Sequence, residues 1–171
     1  MATFLENTDC ERCIGVFRPL KKQHKWECAA YAFAMAYGVE VKELYERIGH
    51  DGSQVVWDNH EPFNRRGFHP QELIHAFPEI GVFTPVERFP TLKDPHGEGY
   101  RCIPGMGFLF SSVEIGRGVL ECRTLNGNHH AVAFNRGDVV DPDDGLLIHS
   151  YKLSVEPVLA WVLHPINVHK G

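Results

Sequence analysis

Ten consecutive residues, Cys28-Ala29-Ala30-Tyr31-Ala32-Phe33-Ala34-Met35-Ala36-Tyr37, carry no charge and are rich in helix formers. A helix that is apolar on every face is one that is buried, so the rest of the fold has to be built around this segment. Gly38 follows it, the residue best suited to end a helix in a left-handed cap. At 171 residues the chain suits one domain, 1–171, large enough to bury a core without disulfide or metal staples. No internal repeat, low-complexity tract or linker divides it.

The remaining pattern splits into a helical first half and a β-like second half. Residues 1–25 read as irregular. Val41, Leu44, Tyr45 and Ile48 recur at helical spacing, which predicts an amphipathic helix over 39–48. Residues 49–67 read as a surface connection. Pro70 suits a first helical turn, with a short third helix running to Phe77. Strands are expected at Gly81–Val86, Gly107–Phe110, Val119–Leu125, His129–Phe134, Val139–Val140 and Val158–Leu163. Asn126-Gly127 and Arg136-Gly137 provide hairpin turns between three of them. Helices followed by an antiparallel meander make an α+β fold, with the buried helix packed on the C-terminal sheet.

Charge and hydropathy narrow the function. The formal net charge is −5, which argues against a nucleic-acid binder. No apolar run reaches the roughly 18–20 residues of a membrane helix. The first residues lack the basic and apolar regions of a secretory signal, so the chain is expected to be cytoplasmic. Five cysteines, at positions 10, 13, 28, 102 and 122, are too few and too scattered for a secreted disulfide framework.

Of these thiols, Cys28 stands out because it opens the buried helix. Unpaired N–H groups and the helix dipole favour an anion there, which eases loss of the thiol proton. A reactive thiolate also needs a histidine held by a third group. A two-residue turn at Arg136-Gly137 would set Asn135 against Asp138 and Asp141 opposite Val132. His130 then shares a sheet face with Asp141, while His129 points to the other face. Asn128 and Asn135 are the alternative orienting groups. The helix is expected to present Cys28 to a β surface that carries His130.

These segments resemble a known family. Gln23-His24-Lys25-Trp26-Glu27-Cys28-Ala29-Ala30, His130-Ala131-Val132-Ala133-Phe134 and Val140-Asp141-Pro142 are similar to the papain-like cysteine peptidases. The C39-like, bacteriocin-processing branch and its bacterial and phage relatives are the nearest match. The Gly38-Val39 step and Gly67-Phe68-His69-Pro70-Gln71-Glu72-Leu73 share that likeness, which spans residues 23–142. The resemblance implies a papain-like fold and a Cys28–His130–Asp141 triad, with Gln23 lending an oxyanion-hole donor. Gln23 stands five residues before Cys28, with His24 and Trp26 as competitors for that role, and Glu27 replaces the family's usual Asp. The implied activity is a thiol hydrolase, a peptidase or isopeptidase, acting on an amide through a thioester. Acyl transfer and deamidation use the same machinery. The implied partner is a peptide or protein substrate, including a protein's C-terminal tail.

Other constellations are weaker. Cys10-Glu11-Arg12-Cys13 has the gap of a zinc knuckle but lacks a second Cys-x-x-Cys. Asp141-Pro142-Asp143-Asp144-Gly145 lacks the alternating ligands of a calcium loop. His69 and His75 lie off a common helical face. No metal or cofactor is therefore expected. The competing readings are a non-catalytic binding module on the same fold and a Cys/His metal-binding protein.

Overall fold

The structure is a computed structural model that describes residues 14–56, 65–87, 112–124, 126–150 and 155–166. The expected strand at 107–110 and three of the cysteines, Cys10, Cys13 and Cys102, lie outside them. The fold is α+β. A single 3-10 turn, Lys25–Glu27, leads into α1, Cys28–Tyr37. Every residue from Ala30 to Tyr37 is buried, as the uncharged run requires. Gly38 ends the helix at φ 75°, and its N–H returns to the carbonyls of Ala34 and Met35. A side chain there would collide with the backbone of Gly15, which lies against it.

Helix α2 spans Val41–Ile48 and buries Leu44, while α3, Pro70–Ile74, begins with its proline as expected. Helix α3 is shorter than the spacing suggested, because the chain leaves the helix at His75 and turns twice before the first strand. Among the described residues six strands follow: β1 Gly81–Glu87, β2 Arg117–Arg123, β3 His129–Asn135, β4 Asp138–Val140, β5 Leu147–His149 and β6 Glu156–Pro165.

All neighbours in the sheet are antiparallel, but the order is β1-β6-β2-β3-β4-β5. Only β2 to β5 form a meander. The long last strand inserts between β1 and β2, a pairing that local periodicity does not encode. The β2–β3 loop is also longer than a two-residue Asn-Gly turn. Arg123 pairs with His129, and Thr124 bonds both Asn128 and Gly127 across the loop. Strand β5 was not expected, being three residues long and exposed at Leu147.

The sheet carries two apolar clusters on alternate residues. Val119, Ala131, Ala133, Val140 and Leu163 join α1 in the larger one. Leu120, Cys122, Val132, Phe134, Val139, Ala160 and Val162 form the second, with Val113. Strand β3 is thus buried on both sides, which explains why it reads as a continuous apolar run. Its alanines on the α1 side have small side chains that suit close packing of helix on sheet. Among the described residues no helix is long and apolar enough to cross a membrane.

Candidate active site

The Arg136-Gly137 turn decides the geometry of the site. Both residues have positive φ, 51° and 83°, the conformation of a type I′ hairpin turn. Asn135 consequently pairs with Asp138 and Ala133 with Val140, so Asp141 falls one step further along, beside Val132. His130 and Asp141 are then diagonal neighbours, and His130 Nε2 lies 2.8 Å from Asp141 Oδ1. His129, the adjacent imidazole, is exposed. Asn128 is exposed in the β2–β3 loop and Asn135 sits at the far end of β3, so neither orients the ring.

Cys28 meets this pair at the start of α1. By alternation His130 belongs with Val132 and Phe134, not with the alanines that α1 packs on. The Cys28 thiol, at the first residue of α1, nevertheless lies within electrostatic reach of His130. The imidazole and the Ala131 N–H both lie near enough to the thiol to lower its pKa. With Nε2 engaged by Asp141, Nδ1 is the nitrogen available to Cys28. The three groups expected to act together are brought together.

Their electrostatics agree. Burial pushes the Cys28 thiol up, but the His130 hydrogen bond and charge, the Lys22 ammonium and the Ala131 N–H outweigh it. The net result is a pKa below the ordinary thiol value. Burial likewise disfavours a charged His130, which is only 8% exposed. Its bonds to Asp141 and Cys28 reverse this and push it up to about 10. Asp141 is held low despite its burial, by His130 and by the Asp143 N–H. Each shift favours the charged form of its group, the thiolate of Cys28 and the imidazolium of His130. Cys122, directly opposite His130 in the β2–β3 register, behaves in the reverse way. Burial and the nearby Asp141 charge push its thiol up to about 12.

Gln23 is exposed, and the hydrogen bond described for it comes from its backbone. That bond goes to Glu27, whose structural role the sequence reading missed. Glu27 is 6% exposed, and its Oε2 accepts the N–H groups of Gln23, at 3.0 Å, and His24, at 2.7 Å. Its Oε1 accepts the Tyr45 hydroxyl at 2.9 Å. The residue before Cys28 is thus a buried anchor for the loop that enters α1. An acidic side chain just before a helix was the available signal, since carboxylates commonly collect free N–H groups there. His24 stacks on Trp26 at 4.6 Å, and the Trp26 indole donates to the Asp51 carbonyl.

Lys22 was also missed, and nothing in its sequence context marks it. Its N–H donates to the Pro142 carbonyl at 2.8 Å and its ammonium pairs with Asp143. The turn after β4 is organised by Asp141 itself, which accepts the Asp143 N–H on its side chain and the Gly145 N–H on its carbonyl. His130, Asp141 and Asp143 bring one potential ligand atom each within 4.8 Å of one another. These atoms already satisfy each other and Lys22, so the cluster is a closed charge network. His69 and His75 flank α3 and are exposed.

A cavity of about 690 Å³ lies at the opposite end of the sheet, lined by Val86, Ile115, Arg117, Asn135 and His164 among others. None of the Cys28, His130 and Asp141 side chains reaches it. No protein-family model matches the chain, and no curated protein matches its sequence.

Proposed function

We propose that this chain is a thiol hydrolase of papain-like fold, related to the C39-like peptidases, that cleaves an amide bond in a peptide or protein. The observation that carries this reading is one imidazole that hydrogen-bonds Asp141 at 2.8 Å and lies near enough to Cys28 to lower the pKa of its thiol. A buried helix opening on its nucleophile, against an antiparallel sheet that bears the acid–base pair, supports the fold assignment.

The chemistry follows from the groups present. Cys28 sulfur attacks the carbonyl carbon, forming a C–S bond and moving the carbonyl π electrons onto oxygen. The Cys28 N–H, at the first turn of α1, faces the developing oxyanion, with the side-chain amide of Gln23 as second donor. As the tetrahedral species collapses, the C–N bond breaks and His130 passes its proton to the leaving amine. Water then attacks the thioester, giving a proton to His130 and releasing the acid and the thiolate. An amine in place of water would make the same site an acyltransferase, and a glutamine side chain as substrate would make it a deamidase.

The test is covalent capture. Electrophilic peptides and ubiquitin-like C-terminal electrophiles should label the chain at Cys28, with no adduct at that position in Cys28→Ala. Labelling that survives Cys28→Ala, or that falls on another thiol, would overturn the assignment.

A further inference from the structure

We propose that Lys22 is a positioning residue of this site: it clasps the segment that delivers Cys28 to the turn that carries Asp141, and it holds a positive charge beside both. The inference rests on the thiol-hydrolase reading and extends it to a residue outside the triad.

The contacts that carry it are independent of one another. The Lys22 N–H bonds Pro142, the residue after Asp141, and the ammonium pairs with Asp143. Next to it, Lys21 packs so closely on Gly145 that a side chain there would meet the Lys21 Cβ at 2.9 Å. Asp143 in turn donates its N–H to the same Asp141 Oδ1 that holds His130. The ion pair therefore locks the turn whose geometry orients the imidazole. On the other side, Lys22 is continuous with Gln23 and His24, whose amides Glu27 fixes just before Cys28. Two segments more than a hundred residues apart in sequence are joined at one lysine.

Its side chain is only 14% exposed, so the charge is weakly screened compared with a surface lysine. Among the described residues, His130 and Lys22 act as charges on both Cys28 and Asp141. Lys22 thus favours the ionised form of both partners of His130. Arginine can keep that charge, whereas methionine keeps the apolar stem without it.

The experiment is the pH dependence of Cys28 alkylation by iodoacetamide in the full chain, read by peptide mass mapping, with circular dichroism melts as the fold control. Lys22→Met should move the acid limb of the profile up by about half to one pH unit and slow labelling at pH 6 several-fold. Lys22→Arg should restore most of it. If Lys22→Met folds poorly, Lys22→Gln drops the charge while retaining a hydrogen-bond donor, and should show the same displacement. A Lys22 variant that lowers the melting temperature yet leaves the acid limb in place, while His130→Ala displaces it, overturns the role of Lys22 and leaves the dyad standing. A profile unmoved by His130→Ala overturns the dyad and the Lys22 proposal together.

Discussion

Two histidines in this protein hold a carboxylate through Nε2 at nearly the same distance, His130 to Asp141 at 2.8 Å and His50 to Glu72 at 3.0 Å. They differ in their second nitrogen. His50 Nδ1 accepts the Gly52 N–H at 3.0 Å, so its Nε2 carries the proton and donates to Glu72. Both nitrogens are thereby committed to holding backbone and helix α3 in place. His130 instead acts on the Cys28 thiol, a partner that can exchange a proton with it. Glu72 is also shared with Arg66 and the His69 N–H, whereas Asp141 spends its remaining capacity on the turn that aims it. A histidine–carboxylate pair is therefore no signature of catalysis. What the free ring nitrogen meets decides the role.

The largest expected effect separates the two imidazoles directly. At pH 6 an ordinary thiol of pKa near 8.5 is less than about 1% ionised. His130→Ala should therefore slow iodoacetamide labelling of Cys28 by roughly ten- to a hundredfold. His50→Ala should leave that rate within about twofold and lower the melting temperature instead. Equal effects from the two would erase the distinction between them.

The carboxylates should divide the same way. Asp141→Ala should lower turnover of an amide substrate by about a hundredfold with little change in KM, because the group acts through His130 in the transition state. A change confined to KM would place Asp141 in substrate binding. Glu72→Ala removes partners of His50, Arg66 and His69 at once, and is expected to cost about 1–2 kcal/mol of stability in urea titration while the Cys28 labelling rate holds.

That division was partly legible beforehand. The uncharged run from Cys28 to Tyr37 could only be a buried helix, and Gly38 could only end it. The face shared by His130 and Asp141 followed from the length of one turn, because strand side chains alternate strictly. Strand order escaped because β6 pairs with β1 and β2 across some seventy and thirty intervening residues, and no local pattern encodes such partners. Glu27 and Lys22 escaped for a different reason. Each acts by bonding backbone groups of other segments, and a sequence shows side chains, not where distant amides and carbonyls come to lie.

The pH response sharpens the contrast further. His130 is raised from its ordinary 6.5 to about 10, so its stabilising contribution is complete below 6.5 and is lost as pH rises through about 10. Asp141 is lowered, so its contribution is present above its ordinary 3.8 and is lost as pH falls through its folded value. The melting temperature of the native protein should therefore fall more between pH 8 and 10.5 than that of His130→Gln. Parallel curves would contradict a raised His130. Labelling of Cys28 should fall off at lower pH than that of an ordinary thiol, since its pKa is lowered, and Cys122 should react only after unfolding.

The smallest effect lies where the two regions touch. Phe68 stacks on His50 at 5.2 Å and on Tyr45 at 5.6 Å, and Tyr45 donates its hydroxyl to Glu27, the residue before Cys28. The structural histidine is thus connected to the loop that enters α1 through two ring contacts and one hydrogen bond. Tyr45→Phe keeps the rings and removes the bond. Burial and the Glu27 carboxylate hold the Tyr45 proton firmly, so the hydroxyl is a donor at every accessible pH. Its loss should cost about 1 kcal/mol, and since Glu27 keeps the Gln23 and His24 amides, Cys28 labelling should change less than threefold. Glu27→Gln is the harsher variant, because it removes the negative charge that all three donors bond. It should cost about 1–3 kcal/mol and slow Cys28 more than Tyr45→Phe does. If Tyr45→Phe slows the thiol as much as Glu27→Gln, the positioning of the nucleophile runs through the aromatic stack, and His50 would belong to the active site after all.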